Sequence, residues 1–155
     1  MSNQRNIIVI GGGAAGMIAA IAAAKEGCAV SLYEKNEKLG KKIFITGKGR
    51  CNVTNAGDMD ELFAAVITNK KFMFSSFYGF TNEDMMQFLE DAGLRLKTER
   101  GKRVFPLSDH SSDVIAALST ALRGQHVEVL LHTKVNRLLL EKRDEEKRVT
   151  GVELA

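Results

Sequence analysis

The sequence predicts an α/β fold in which helices cover both faces of a parallel sheet and a small β-meander is added. Three observations carry this prediction. The apolar run Ile7-Ile8-Val9-Ile10 leads into a glycine-rich turn, residues 11–16, which opens an alanine-rich helix. A second apolar run, 29–33, follows that helix and ends at Glu34. A third run, 127–131, follows another helical segment, so strands and helices alternate as a parallel sheet requires.

The first strand–helix–strand unit can be bounded from the pattern of apolar residues and glycines. We predict a buried strand over 7–10 and a helix over 14–24, which Gly27 ends as a C-terminal cap. The helix is mostly alanine, and small side chains suit close packing against a sheet. The second strand, 29–33, then runs parallel to the first.

Three glycines at the first turn, Gly11, Gly13 and Gly16, each have a physical reason. Gly11 permits a positive φ as the chain leaves the strand, and Gly16 lets the helix approach the sheet closely. A side chain at Gly13 would collide with the phosphates of a bound nucleotide. Ala14 and Ala15 begin the helix, where N–H groups lack partners within the helix and carry a partial positive charge. The turn therefore predicts a Rossmann-type site for the pyrophosphate of a dinucleotide.

The acidic residue at the end of the second strand predicts a ribose contact. Glu34 lies 18 residues after Gly16, near the spacing at which such units place a carboxylate that accepts hydrogen bonds from a ribose hydroxyl. A carboxylate there would repel a 2′-phosphate, so the sequence favours FAD or NAD over NADP. The alternative is an α/β protein whose glycine turn binds no nucleotide.

The rest of the chain contains further helices, a hairpin and a strand pair. Thr81 supplies N-capping chemistry for a helix over 82–92, and Gly93 ends that helix. A glycine turn at 99–102 predicts a β-hairpin. The remaining predictions are a helix over 60–69, hairpin strands over 94–98 and 103–105, a helix from Ser112 or Asp113 to Leu122, and strands over 135–140 and 149–154 around a charged turn, 142–148.

Length and composition are those of one globular domain. The chain has 155 residues, of which 45% are hydrophobic and 26% are charged. We expect a single domain over 1–155 with a helical and hairpin excursion over 56–106. The chain stops at Ala155 within a predicted strand, and a doubly wound sheet needs further strands, so we expect this domain to be incomplete.

Net charge, apolar runs and cysteines indicate which partners and which cellular compartment to expect for the protein. The formal net charge of +3 is modest and does not by itself indicate a nucleic-acid partner. No apolar run approaches the roughly 20 residues that span a bilayer. Because a strand is predicted from residue 7, we expect no signal peptide. Cys28 and Cys51 match no metal or redox spacing, which favours a reducing cytoplasm and no metal site.

The order of the strands favours FAD over a nicotinamide cofactor. A nicotinamide-binding Rossmann domain usually continues from its acidic residue with another helix and parallel strand in quick succession. Here a basic, glycine-rich stretch, 35–55, follows Glu34, and the next parallel strand is delayed to 127–131. Long excursions of this kind interrupt the fold in FAD-binding oxidoreductases.

At these residues the chain resembles the HI0933-like flavoproteins, the group that includes the aminoacetone-oxidase-like and BaiN-like FAD enzymes. The resemblance covers nearly the whole chain, and its most discriminating segment is Gly47-Lys48-Gly49-Arg50-Cys51-Asn52-Val53-Thr54-Asn55. Further matches are Gly11–Gly16 with Glu34, Gly40-Lys41-Lys42, Arg103-Val104-Phe105-Pro106 and Thr133-Lys134-Val135. The resemblance implies that the chain is the N-terminal part of a longer flavoenzyme whose substrate domain lies elsewhere.

The resemblance also implies roles for individual residues. The backbone of Val135 would contact adenine, and Glu34 would bind the adenosine ribose with Lys35 nearby. The path from the pyrophosphate to the flavin would be lined by Lys41, Lys42, Thr46 and Gly47. The residues close to the isoalloxazine would be Arg50, Cys51 and Asn52.

The implied function is that of an FAD-dependent oxidoreductase acting on a small-molecule substrate. Redox chemistry would take place at flavin N5, with NAD(P)H as a candidate electron donor. The sequence identifies no catalytic acid or base. The alternative is a non-catalytic dinucleotide-binding module or an inactive remnant.

The basic stretch has two competing interpretations. Its cations could form a nucleic-acid surface, but Phe44 is the one aromatic residue within it, and the glycines suit a diphosphate better. We therefore expect no nucleic-acid partner. A P-loop is excluded because the residue after Lys48 is Gly49 rather than Ser or Thr.

Two further groups have a plain structural interpretation. Cys51 could be a reactive thiol, with Arg50 and Lys48 lowering its pKa, but no positioned base is evident and a structural or flavin-lining role is favoured. Glu99 with Arg100 and Arg103 is expected to form the solvated tip of the hairpin.

Overall fold

The computed structural model describes residues 5–143 and 146–155, and the chain divides into two compact units. The first comprises Met1–Lys42 and Leu118–Ala155, and the second comprises Ile43–Ala117. The elements in chain order are β1 (Asn6–Ile10), α1 (Ala14–Lys25), β2 (Ala29–Tyr33), α2 (Lys41–Ile45), a 3₁₀ turn (Thr46–Gly49), β3 (Thr54–Asn55), α3 (Met59–Ala65), α4 (Lys70–Gly79), α5 (Asn82–Asp91), β4 (Leu96–Glu99), β5 (Arg103–Pro106), α6 (Ser111–Gly124), β6 (Glu128–Leu130), β7 (Val135–Arg143) and β8 (Glu146–Leu154).

The first unit is built on a parallel sheet with the strand order β1-β2-β6. In the register of this sheet, Ile8 lies beside Ser31 and Leu32 lies beside Val129. Helix α1 packs against β1 and β2 and buries Met17 on its sheet-facing side. The alternation of strands and helices that the sequence predicts is therefore confirmed, including the delayed third parallel strand.

The expectation that the first strand is buried is wrong. Ile8 is 40% exposed and Ile10 is 53% exposed, whereas Val30 and Leu32 in β2 are buried. The difference follows from position, because β2 is the central strand and β1 lies at the edge of the sheet. Among the described residues, no further strand pairs with the outer side of β1.

An antiparallel hairpin completes the first unit. Strands β7 and β8 pair over their length and are each longer than the sequence predicts. The residues predicted as a charged turn, 142–148, instead lie mostly in the two strands, while residues 144 and 145 fall outside the described part of the chain. Charged side chains were a misleading turn signal because both faces of this hairpin carry exposed residues, which a strand tolerates.

The second unit contains an antiparallel sheet with the order β3-β5-β4. The predicted hairpin is confirmed, with Thr98 beside Val104 and a turn in which Gly101 has a φ of 76°. Val104 and Phe105 are buried, so β5 forms the core of this sheet. Pro106 is the last residue of β5, so this strand is one residue longer than the predicted strand over 103–105.

The helices of the second unit match the predictions in part. A capping box between Thr81 and Asp84 begins α5, as expected. Helix α3 ends at Ala65, four residues before the predicted end, and the chain turns through Asn69 with a φ of 53°. Helix α4, which follows, was missed. Within the described residues, no helix is both long enough and apolar enough to cross a bilayer.

Candidate nucleotide-binding site

The junction of β1 and α1 requires glycine at two places, at Gly11 for its backbone conformation and at Gly16 for lack of space. Gly11 has a φ of 103°, and its N–H donates to the carbonyl of Tyr33 at 2.8 Å. A Cβ atom on Gly16 would lie 1.8 Å from the carbonyl oxygen of Gly11. The structure thus provides the physical reasons that the sequence suggests for both glycines.

The start of α1 is open where a phosphate group would approach. Gly13 is the N-cap residue, has a φ of −81° and would carry a Cβ with no atom within 4 Å. Ala14 and Ala15 follow it and are exposed. The N–H groups of this first turn have no acceptor within the helix, and the helix dipole makes this end partially positive. Space, donors and charge therefore suit a diphosphate.

Glu34 is a buried polar residue of the first unit and is 7% exposed. Its Oε2 accepts a hydrogen bond from the N–H of Gly12 at 2.7 Å. Its Oε1 accepts from both the backbone N–H and the side-chain amide of Asn36, at 2.8 Å and 2.5 Å. Burial raises the pKa of Glu34, but these hydrogen bonds and the charge of Lys35 outweigh it and hold the pKa below its usual value. The carboxylate is therefore ionised at neutral pH.

The segment after β2 wraps around the glycine turn through Asn36, Leu39 and Gly40, for which the sequence predicted no role. A Cβ on Gly12 would lie 2.3 Å from a methyl group of Leu39 and 3.2 Å from Glu34. The carbonyl of Gly12 accepts a hydrogen bond from the N–H of Gly40 at 2.8 Å. Asn36 orients the Glu34 carboxylate from the other side. The uninterrupted run of three glycines was the available signal, since the fingerprint requires only the first and third.

A pocket of about 350 Å³ opens beside this arrangement. Its wall is formed where β2 ends and where the chain leaves β6, because the N–H of Thr133 donates to the carbonyl of Glu34 at 2.8 Å. The lining residues are Ile10, Gly11, Tyr33, Glu34, Lys35, Asn36, Thr133, Lys134 and Val135. The structure thus brings together four residues that the sequence singled out, namely Gly11, Glu34, Lys35 and Val135. The pocket has the size and mixed lining expected of a small-ligand site.

The remaining predicted cofactor residues of the first unit are two exposed lysines. The ammonium group of Lys41 lies 3.2 Å from a carboxylate oxygen of Glu37 in an exposed ion pair, and Lys42 is also exposed. Neither belongs to the lining of the pocket described above. Their predicted role toward the cofactor stays a prediction.

In the second unit, Thr46 and Gly47 form the 3₁₀ turn after α2, and the hydroxyl of Thr46 donates to the carbonyl of Ile43 at 2.9 Å. Asn52 is exposed, whereas Cys51 is buried. Burial raises the pKa of the Cys51 thiol, so the expectation that Arg50 and Lys48 would lower it is wrong. A neutral, buried thiol suits the structural or flavin-lining role and not that of a nucleophile.

The expectation of a solvated hairpin tip is also wrong for Glu99. Its Oε1 accepts a hydrogen bond from Arg50 at 2.5 Å and lies 3.4 Å from the ammonium group of Lys97. These contacts hold its pKa below the usual value, with the hydrogen bond from Arg50 as the largest cause. The sequence could not reveal the pairing, because Arg50 and Glu99 are 49 residues apart.

In the described part of the chain, no group of three or more His, Cys, Asp or Glu residues is arranged to hold a metal ion.

The curated proteins that the chain matches include two bacterial relatives with different names. The chain is 36% identical over 139 residues to the 3-dehydro-bile acid delta(4,6)-reductase of Clostridium scindens, covering 88% of this chain and 33% of that protein. It is 26% identical over 148 residues to the ribosomal RNA dihydrouridine synthase of Haemophilus influenzae, covering 96% of this chain and 36% of that protein. The chain therefore spans about a third of the length of these relatives.

Comparison with solved structures finds proteins that share the fold of this chain. The 3-ketosteroid delta1-dehydrogenase of Sterolibacterium denitrificans superposes with a TM-score of 0.72 at 18% identity, covering 99% of this chain and 44% of that chain. The fold is thus the Rossmann-type FAD-binding fold of flavoprotein oxidoreductases. The family model described as the HI0933-like protein Rossmann domain matches residues 5–153, and the chain therefore belongs to the HI0933-like family.

Proposed function

We propose that the chain binds FAD and is the cofactor-binding part of an FAD-dependent oxidoreductase. The observation that carries this proposal is the arrangement of the glycine turn and Glu34 beside one pocket, all within the first compact unit. Open space at Gly13, the N–H groups at the start of α1 and an ionised carboxylate suit the ADP half of a dinucleotide.

Each part of the arrangement has a defined task in binding. The N–H groups of the first turn of α1 donate to the pyrophosphate. The Glu34 carboxylate has about four acceptor positions, and the three hydrogen bonds from Gly12 and Asn36 leave one for a ribose hydroxyl. Asn36 and Gly12 fix the carboxylate in place before the ribose binds. Little conformational entropy of the Glu34 side chain is therefore lost on binding. Val135 and Lys35 form the wall against which the adenosine lies.

The flavin half would be held by residues whose roles rest on the family resemblance. Lys41, Lys42, Thr46 and Gly47 would line the path from the pyrophosphate, and Cys51 and Asn52 would lie near the ring. FAD, when bound, supplies hydride transfer at its N5 atom. NAD(P)H is the proposed electron donor.

The names of the two curated relatives support a substrate class. One is a reductase named for the delta-4 and delta-6 positions of a bile acid, and the other forms dihydrouridine in ribosomal RNA. Both names describe saturation of a carbon–carbon double bond. We therefore propose that the whole protein reduces such a bond. The two relatives differ in the size of the substrate that their names give, which is a bile acid for one and ribosomal RNA for the other.

Flavin content tests this proposal. The protein translated from the complete reading frame should purify with the visible absorption bands of flavin, or acquire them on incubation with FAD. Replacing Glu34 by Ala should weaken FAD binding by about tenfold or more, because a charge-assisted hydrogen bond is lost. Glu26→Ala, at an exposed position outside the pocket, is the matched control and should leave the affinity unchanged.

Two results would count against the proposal. A colourless protein that takes up no FAD would remove the cofactor assignment. A protein that binds FAD but whose flavin is not reduced by NADH or NADPH would instead fit the alternative of a non-catalytic dinucleotide-binding module.

A further inference from the structure

The loop that follows α2 in the second unit has an unusual backbone. Lys48, Gly49 and Cys51 have φ values of 54°, 85° and 60°. Residues other than glycine rarely adopt this left-handed region, because Cβ then approaches the backbone. Two such residues within four positions indicate that surrounding contacts hold the loop in place.

Arg50 of this loop takes part in a closed ring of four charged side chains. Arg50 donates from Nε and Nη2 to Oδ1 of Asp109, at 2.8 Å and 2.5 Å, and from Nη2 to Oε1 of Glu99 at 2.5 Å. The ammonium group of Lys97 lies 2.6 Å from Oδ2 of Asp109 and 3.4 Å from Oε1 of Glu99. Two cations thus alternate with two anions, and each side chain contacts two others of opposite charge.

The ring joins three separate segments of the second unit. Arg50 belongs to the loop itself, Lys97 and Glu99 belong to β4, and Asp109 lies in the turn after β5. The guanidinium carbon of Arg50 also lies 4.3 Å from the centre of the buried Phe105 ring. One edge and one face of the Arg50 side chain are therefore occupied by protein groups.

We propose that Arg50 is a positioning residue and that the ring of Arg50, Asp109, Lys97 and Glu99 holds the loop of residues 48–52 in place, with its left-handed backbone at positions 48, 49 and 51. Arg50 then influences cofactor binding through the loop and makes no contact with the cofactor. This second part rests on the proposed function, whereas the effect on the loop does not depend on it.

Amide hydrogen exchange of the cofactor-free protein tests the first part. Asp109→Asn and Glu99→Gln keep the size of the side chain and remove one negative charge from the ring. Exchange in peptides covering 46–53 should become about tenfold faster or more, while exchange in α5 should stay unchanged. Glu153→Gln, which removes the exposed ion pair with Arg137 in the other unit, is the matched control and should leave the loop unchanged.

Unchanged exchange at 46–53 in both ring variants would overturn the proposal. Should either variant fail to fold, Lys97→Gln removes the other cation of the ring and gives the same reading. Arg50→Lys retains the charge but not the paired donors or the flat face over Phe105, so its exchange should lie between that of the native protein and that of Arg50→Gln.

A double-mutant cycle on FAD affinity tests the second part in the complete protein. If Arg50 acts through the ring, Arg50→Gln and Asp109→Asn should each weaken binding, and the double variant should lie within about twofold of the weaker single variant. Losses that multiply in the double variant would show that Arg50 contacts the cofactor directly. An unchanged affinity in Arg50→Gln would show that the loop does not matter for binding. Absence of FAD binding in the native protein would reject the proposed function and leave the exchange result standing.

Discussion

At the scale of single residues, the glycines at the junction of β1 and α1 serve different physical purposes. Gly16 is required by the fold itself, because a Cβ there would meet a backbone carbonyl at 1.8 Å. Gly13 is not required by the fold, since a Cβ there would meet nothing within 4 Å. The two positions therefore separate the demands of folding from those of a ligand.

This contrast predicts opposite results for the same substitution. Gly16→Ala should lower the free energy of unfolding by about 3 kcal/mol or more, because backbone atoms must move to admit the methyl group. Gly13→Ala should lower it by no more than about 1 kcal/mol, as expected for alanine at an N-cap. Denaturant unfolding without cofactor measures both, and FAD titration of Gly13→Ala should show weakened binding. A Gly13→Ala protein that is as destabilised as Gly16→Ala would contradict the assignment.

The buried carboxylate of Glu34 predicts a pH dependence of stability. Its pKa is lower in the folded protein than in the unfolded chain, so its contribution is present above about pH 4.3 and is lost as the pH falls through the lower folded value. Glu34→Gln should cost about 1–3 kcal/mol at pH 7, where the carboxylate accepts three hydrogen bonds. Urea unfolding at pH 7 and pH 3 measures the difference, which should shrink at pH 3. A difference that is equal at both pH values would show that ionisation of Glu34 contributes nothing.

At the scale of elements, the sequence was most informative where apolar residues and glycines act together. The order of β1, α1, β2 and β6 could be predicted because buried strands and a packed helix need these patterns locally. The burial of β1 could not be predicted, since it depends on whether a neighbouring strand lies on its outer side. Strands β7 and β8 were predicted too short because their exposed charges resembled a turn.

Helix α4 shows where local patterns are insufficient. Its sequence, Lys-Lys-Phe-Met-Phe-Ser-Ser-Phe-Tyr-Gly, contains aromatic residues and serines that are only moderate helix formers. Its rings meet Phe63 of α3, with Phe74 at 5.7 Å and Tyr78 at 5.8 Å between ring centres. The helix is therefore supported by contacts with another element, which propensity alone does not reveal.

The capping box of α5 gives a prediction at this scale. The Thr81 hydroxyl accepts from the N–H of Asp84 at 3.0 Å, and the Asp84 carboxylate accepts from the N–H of Thr81 at 2.8 Å. Thr81→Ala should therefore lower the free energy of unfolding by about 1 kcal/mol. Thr68→Ala, at an exposed position between α3 and α4, should change it by less than about 0.5 kcal/mol. Equal effects of the two substitutions in thermal or urea unfolding would refute the importance of the cap.

At the scale of the whole molecule, the two units differ in how much of their side-chain arrangement could be predicted from the sequence. The glycine turn, Glu34 and Val135 lie within one unit. Sequence spacing located the glycine turn and Glu34, and the family resemblance pointed to Val135. The partners of Arg50 lie up to 59 residues away in sequence, so the ring of charges could be found only in the structure. The roles of Asn36 and Gly40 were not predicted. These two residues contact the backbone and the carboxylate of the fingerprint but do not belong to the fingerprint itself.

The central claim is that the glycine turn, Glu34 and the pocket beside them bind the ADP half of FAD. Competition binding tests it most directly, with FAD titrated into the protein from the complete reading frame and into the 155-residue chain. ADP should displace FAD, and Gly13→Ala should weaken ADP and FAD binding alike, whereas FMN should compete poorly because it lacks the adenosine. Displacement of FAD by FMN but not by ADP would contradict the account.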